Sequence, residues 1–384
     1  MDFRLSKEQR AIKKAAREFA EAEFPNLAKE CDKEEKMDFN LLDKARELGF
    51  VGGIIPIEYG GPGLNFLENA IIVEEFWRID PGLAMAIIGV TFGAEIFLAF
   101  GTEEQKKKYV TPLVEGNDIL ATAITEPDAG SDVTMAVTEA CRKDDEYIIN
   151  GNKMFISNGS IADNVIVFCK TNPAEPNIHK QFSTIIVNKD TRGFKVNKIK
   201  DKLGLRASDT TEMTFTDVRV SAENLIGQEG EGFKHILSLF NRERITVCAQ
   251  AVGLAQGALD QAIRHITQRV QFGRTIASFQ AIRFKISEMA TLVEAGRSLY
   301  YRAVSALDNG DEDHALIAMA KWYCAQNAVT IAQESLQMHG GYGFINEYDI
   351  ARFYRDVKVL EIFEGTKEME KIQIANSLLG RSNH

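Results

Sequence analysis

Three stretches of helical periodicity near the C-terminus, residues 245–269, 278–309 and 313–338, constrain the fold more than any other feature. Each is too long for an ordinary surface helix. Segments of this length bury their apolar stripes against one another as antiparallel helices of a bundle. Upstream the texture changes. Short runs such as Tyr147-Ile148-Ile149, Val165-Ile166-Val167-Phe168 and Ser183-Thr184-Ile185-Ile186-Val187 are rich in β-branched and aromatic residues, with Asn150-Gly151 and Asn158-Gly159 as turn signals between them. Earlier still the chain reads as helical. Ser6-Lys7-Glu8-Gln9 and Thr102-Glu103-Glu104-Gln105 fit capping boxes, and Glu58-Tyr59-Gly60-Gly61-Pro62-Gly63 fits a tight loop between helices. The order predicts an α+β chain: an N-terminal helical domain over 1–117, an antiparallel β-domain over 118–230 and a helical bundle over 231–384.

Composition narrows the function classes. A length of 384 residues exceeds one compact core. A net charge of −10 lacks the basic footprint of a nucleic-acid protein. Local arginines or helix N-termini can still take a phosphorylated ligand. The apolar runs read as too short to span a bilayer, and Met1-Asp2-Phe3-Arg4-Leu5-Ser6 has no signal-peptide pattern. Cys31, Cys141, Cys169, Cys248 and Cys324 are scattered, as expected of thiols in a reducing compartment, and the histidines have no metal-ligand spacing. A cytoplasmic protein without a metal centre is expected.

Five segments carry possible chemistry. In Thr125-Glu126-Pro127-Asp128-Ala129-Gly130-Ser131-Asp132 a Gly-Ser turn can offer N–H groups and a hydroxyl to an oxygen, or be a plain capped turn. Lys153-Met154-Phe155-Ile156-Ser157 before Asn158-Gly159 can flank a planar ring, or be a hairpin. Gln268-Arg269-Val270-Gln271-Phe272-Gly273-Arg274, with Gln280 following, can pair an arginine with a diphosphate, or simply end a helix. Gln337-Met338-His339-Gly340-Gly341-Tyr342-Gly343 lets a ligand approach the backbone, or caps a helix. Phe363-Glu364-Gly365-Thr366 frees a carboxylate to point into a cleft, or places a glutamate on the surface.

Together and in this order the five segments resemble the acyl-CoA dehydrogenases over essentially the whole chain. That family's fold has a helical domain, a β-domain and a C-terminal four-helix bundle. The resemblance implies bound FAD. Thr122, Ile124 and Thr125 would line it, with Ser131 near phosphate or substrate, and Phe155, Ile156 and Ser157 on the other side of its ring. Many relatives have Trp where Phe155 stands. Arg269, Phe272, Gln280, Gln337, Gly340 and Gly341 would reach the FAD of a neighbouring subunit, implying a homotetramer, and Thr366 and Glu368 would complete the site. Asn241, Arg244 and Gly365 would contact the acyl-CoA. An uncharged residue is common at the position of Glu368, and several relatives carry Asp at that of Asn241.

The resemblance also implies the reaction. A thioester acidifies its α-proton, a carboxylate removes it, and the β-hydride passes to the flavin. Glu364 is the expected base, and an electron-transfer flavoprotein the expected electron partner. In a minority of the family the base immediately precedes the cleft arginine, where this chain has Glu243. Glu364 is expected to act, with Glu243 tuning it or pairing Arg242 or Arg244. The same chemistry run backwards makes an enoyl-CoA reductase. A flavin-bearing scaffold is the non-catalytic alternative. The expected substrate is a short, branched or cyclic acyl-CoA. Thr91, Phe92 and Phe240 are candidates for its pocket walls, and equally for core.

Overall fold

The computed structural model describes residues 4–380. Its N-terminal part comprises helices α1 (Lys7–Glu34), α2 (Phe39–Glu47), α3 (Phe66–Ile79), α4 (Pro81–Ile88), α5 (Ala94–Phe100), α6 (Glu103–Tyr109) and α7 (Thr111–Glu115). Both expected capping boxes are present: Ser6 and Gln9 start α1, Thr102 and Gln105 start α6. Helices α4 and α5 lie within one stretch, Pro81–Phe100, of mean hydropathy 2.1. Contrary to the expectation from run length, this stretch is long and apolar enough to cross a bilayer. It is nevertheless broken after Ile88 into a 3-10 turn and a second short helix, and more than half of it is buried inside the fold.

The middle part is an eight-stranded sheet: β1 (Leu120–Ala123), β2 (Glu139–Lys143), β3 (Glu146–Ser157), β4 (Asn164–Lys170), β5 (Phe182–Asn188), β6 (Phe194–Lys198), β7 (Thr210–Ser221) and β8 (Leu225–Ile226). Its ladders are mainly antiparallel. Two pairings are parallel, β1 with β4 and the single pair Glu139–Lys170 between β2 and β4. The β2–β3 hairpin supplies the long crossover that a parallel β1–β4 pair requires. Asn150-Gly151 is not a turn. It lies inside β3 as a bulge, where Asn150 exchanges hydrogen bonds with Asp217 (2.8 and 3.2 Å). A paired side chain thus turns an Asn-Gly signal into a kink in a continuous strand.

The C-terminal part contains α8 (Gly232–Gln268), a two-stranded ribbon of β9 (Val270–Gln271) and β10 (Arg274–Thr275), then α9 (Gln280–Asp308), α10 (His314–His339), α11 (Asp349–Asp356) and α12 (Lys367–Leu379). Helix α8 begins 13 residues before the periodicity suggested, so Glu243 and Arg244 sit on its fourth turn rather than ahead of it. It crosses α3 at very short range. A Cβ on Gly253 would stand 2.3 Å from the Glu74 carbonyl oxygen, and one on Gly257 2.1 Å from that of Arg78. Only glycine permits that approach.

Two side chains seat the sheet on the broken α4–α5 stretch. Thr122 donates its hydroxyl to the Phe92 carbonyl (2.9 Å), and Asn158 donates its amide to that of Gly89 (2.6 Å). Inside the sheet, fully buried Lys153 pairs with Glu126 at 2.9 Å and donates to the Ile124 carbonyl at 2.8 Å. Burial alone would raise the Glu126 pKa. Lys153 and the N–H groups of Val137 and Thr138 outweigh it and hold the carboxyl below its ordinary value.

Lys153→Met would strand Glu126 as an uncompensated buried charge. The expected loss is about 3–5 kcal/mol in chemical denaturation, with partial recovery in Lys153→Met/Glu126→Gln.

Candidate active site

The fold gathers the predicted residues into three groups. In the first, the Met154 N–H donates to the Thr125 carbonyl (2.9 Å), joining the end of β3 to the loop after β1. Phe155 is 66% exposed there with a φ of +61°, Ile156 is buried and Ser157 half-buried. A β-strand Phe in the left-handed region is strained. The strain presents a bare aromatic face beside the exposed Ser131 loop. Thr122 and Ile124 are buried, and the Thr122 hydroxyl is already committed to Phe92.

In the second group, Arg269 lies over the Tyr342 ring (5.3 Å) and shares an open cleft of about 530 Å3 with His265, His339, Gly340 and Gly341. No heavy atom stands within 4 Å of a Cβ built on either glycine. Gln337 caps the end of α10 through its carbonyl and stands outside the cleft lining, as do Phe272 and Gln280. Phe272 is 92% exposed at the tip of the β9–β10 ribbon, where it and Gly273 have φ of +52° and +76°. These are the dihedrals of a two-residue type I′ turn, which normally takes Asn-Gly.

The third group surrounds Glu364. Glu364 (φ +50°) and Gly365 (φ +97°) form a left-handed turn ahead of α12, and the Thr366 hydroxyl caps that helix by accepting from the Met369 N–H at 3.4 Å. Exposed Glu368 occupies its first turn, where the helix dipole favours an anion. Fully buried Lys321 clamps the turn by donating to the carbonyls of Phe363 (3.0 Å) and Gly365. Arg244 pairs with buried Glu370 (3.0 Å) and donates to Asn241 (3.0 Å) and Gln373 (2.9 Å). Asn241 and Arg244, expected to contact substrate, thus brace the turn.

The Glu364 Oε2 atom is shut off from solvent with no partner. Burial pushes the carboxyl up to about 7, against the pull of Lys321 and Arg244, with Glu95 adding repulsion. Glu243 is raised well above the ordinary range by burial, then by Glu95 and Glu364. Glu95, also raised by burial, accepts the hydrogen bond that Glu243 donates. That hydrogen bond raises Glu243 and lowers Glu95, so the proton between them favours Glu243. Thr91, Phe92, Glu95 and Glu243 line a small cavity of about 60 Å3, whereas Phe240 packs into the core instead.

Sequence reasoning missed Glu95, Lys321 and Glu370. Glu95 is the one charge in the Pro81–Phe100 stretch, and Lys321 interrupts the buried face of α10. Both were visible as charges at apolar positions. Glu370 is indistinguishable in sequence from a surface glutamate.

Models of the acyl-CoA dehydrogenase N-terminal, middle and C-terminal domains match residues 6–117, 121–218 and 230–379. The chain belongs to the acyl-CoA dehydrogenase family. It is 40% identical to an acryloyl-CoA reductase (NADH) of Anaerotignum propionicum over 99% of its own length and 97% of the relative's. Butyryl-CoA dehydrogenase of Megasphaera elsdenii superposes with a TM-score of 0.94 at 37% identity, covering 99% of this chain and 100% of that one. A chain from structural work on the electron-transferring flavoprotein of Acidaminococcus fermentans and flavin-based electron bifurcation gives 0.95 at 40% identity, with 99% and 100% coverage. This family member is an oxidoreductase of acyl-CoA dehydrogenase type, and proteins of the family carry FAD. The residues present suit that cofactor: an exposed aromatic face at Phe155 for a planar ring, Arg269 for a diphosphate, and open backbone at Gly340 and Gly341.

Gly365→Ala would place its Cβ 2.4 Å from Glu370 Oε1 and 3.3 Å from Arg244, on a backbone that alanine resists. Backbone strain alone is about 1–2 kcal/mol. The expected outcome is a lowered Tm and a turnover loss of roughly 100-fold, because a displaced base loses its alignment.

Proposed function

We propose that this protein interconverts a short acyl-CoA and its α,β-unsaturated counterpart, with Glu364 as the acid–base group. The carrying observation is the Glu364 carboxyl, whose Oε2 is buried and unpartnered, pushed up to about 7 on a clamped turn. A base near working pH combines availability with driving force. In oxidation the α C–H bond breaks and Glu364 receives the proton. FAD, when bound, accepts the β-hydride. Burial and the neighbouring Glu95 raise Glu243 well above the ordinary carboxylate range, which argues against its being the base. A cavity of about 60 Å3 has room for roughly four or five water-sized groups, which favours a short acyl chain.

Electrons pass to or from an electron-transfer flavoprotein in this reading, supported by the likeness to a chain from work on such a flavoprotein. The likeness to an acryloyl-CoA reductase favours the reductive direction as the second reading. The protein assembles as a homotetramer in which Arg269, Phe272, Gln280 and the Gly340-Gly341 turn complete a neighbour's cofactor site. Support comes from Phe272 and Phe344, each more than 90% exposed in the single chain, and from the strain at Phe272. Five unbridged cysteines support a reducing, cytoplasmic setting.

Glu364→Gln is expected to lower turnover and α-proton exchange by about 10²–10⁴-fold, with Glu243→Gln retaining most of both. The reverse pattern would make Glu243 the base. Oxidation needs the carboxylate, so its kcat/KM should rise with pH through about 7 and then level. Reduction needs the acid, so its profile should fall over the same window. Phe272→Asn should leave the fold intact, reduce the tetramer on light scattering and weaken FAD retention; an unchanged tetramer with full FAD would exclude Phe272 from the interface.

A further inference from the structure

The cavity beside the catalytic turn has apolar walls but a polar floor. Helix α8 presents Glu243, Thr246 and Gln250 at spacings of three and four residues, which aligns them on one face. Helix α5 supplies Glu95 to the same cavity, and Arg242 lines it as well.

These polar groups are not satisfied by one another. Gln250 is only 4% exposed, lines the cavity, and its Oε1 has no hydrogen-bond partner. The Arg242 Nε is likewise buried and unpartnered, although that side chain lies 3.9 Å from Glu312 and over the Phe66 ring. Glu95 accepts one hydrogen bond from Glu243, which leaves further acceptor lone pairs on its carboxyl oxygens. The floor therefore offers acceptors at Gln250 and Glu95 and a donor at Arg242.

A hydrocarbon tail would leave every one of these groups unpaired, and buried polar groups are normally paired. A carboxylate would be repelled by Glu95. An ammonium would answer the acceptors but be repelled by Arg242. A hydroxyl both donates and accepts, so it answers both kinds of group. Nor is the cluster a cation site: among the described residues no three His, Cys, Asp or Glu are grouped to hold a metal ion.

We infer that the acyl group this protein acts on carries a hydroxyl beyond its reacting α and β carbons, donating to the acceptors at Gln250 or Glu95 and accepting from Arg242. This rests on the acyl-CoA reading above and narrows its substrate class to short hydroxyacyl thioesters.

The test is anaerobic flavin bleaching of the FAD-loaded tetramer with four thioesters of equal chain length. These are butyryl-CoA, freshly prepared 4-hydroxybutyryl-CoA, 4-aminobutyryl-CoA and succinyl-CoA. The hydroxyl substrate should exceed butyryl-CoA in kcat/KM by at least about tenfold, because a site built to bond a hydroxyl discriminates against its absence. In Gln250→Leu that ratio should fall toward one, and in Glu95→Gln it should fall less. Taking the ratio within each variant cancels any general loss of folding or activity. Butyryl-CoA as good as the hydroxyl substrate, or a preference for the amine or the diacid, overturns the inference and leaves the reaction class standing. If none of the four bleaches a properly loaded flavin, the acyl-CoA reading fails and the inference fails with it.

Discussion

The left-handed turn at Glu364-Gly365 is the constraint on which the rest of the site depends. A glutamate with φ of +50° does not hold that conformation unaided. Lys321 reaches it from α10 and grips the carbonyls on both sides of Glu364. Glu370 reaches it from α12 through Arg244 on α8. Three of the long C-terminal helices thus converge on two peptide units, and their bundle packing becomes a positional tolerance for one carboxylate. The short approach of α8 to α3 at Gly253 and Gly257 serves the same end, since it sets where Glu243, Arg244 and Gln250 stand relative to the N-terminal helices.

Electrostatics then separates the carboxyls by environment. Glu370 faces a guanidinium and an ammonium, yet burial still raises it. Glu364 makes no ion pair with those cations, and burial raises it to about 7. Glu243 faces another carboxylate and keeps its proton. Similar side chains acquire different protonation states because desolvation acts on all of them while compensating charge does not. In the proposed mechanism that division leaves Glu364 free to exchange a proton while Glu243 is not.

Much of this was legible in the sequence. Periodicity separated helical from β texture, Ser6 and Thr102 announced helix starts, and Glu-Gly-Thr stood out through its place among the other motifs. What was illegible has physical causes. Asn150-Gly151 carries a turn signature, but pairing with Asp217 across β7 overrides local preference. Thr122 and Arg244, read as ligand contacts, also engage Phe92, Glu370, Asn241 and Gln373, and all of these but Asn241 lie 30 to 129 residues away. Glu370 looks like a solvated helix charge until packing shows that it is enclosed. Sequence periodicity reports which face is apolar; it does not report which charge has been placed there deliberately.

The central claim is that Glu364 is the carboxyl which titrates near neutrality. Infrared difference spectroscopy of protein labelled with 13C at glutamate carboxyls, recorded across pH, tests it most directly. A protonated-carboxyl band should disappear with a midpoint near 7, be absent in Glu364→Gln and persist in Glu243→Gln. A band that survives in Glu364→Gln and vanishes in Glu243→Gln, or a Glu364 midpoint in the ordinary carboxylate range, would contradict the account.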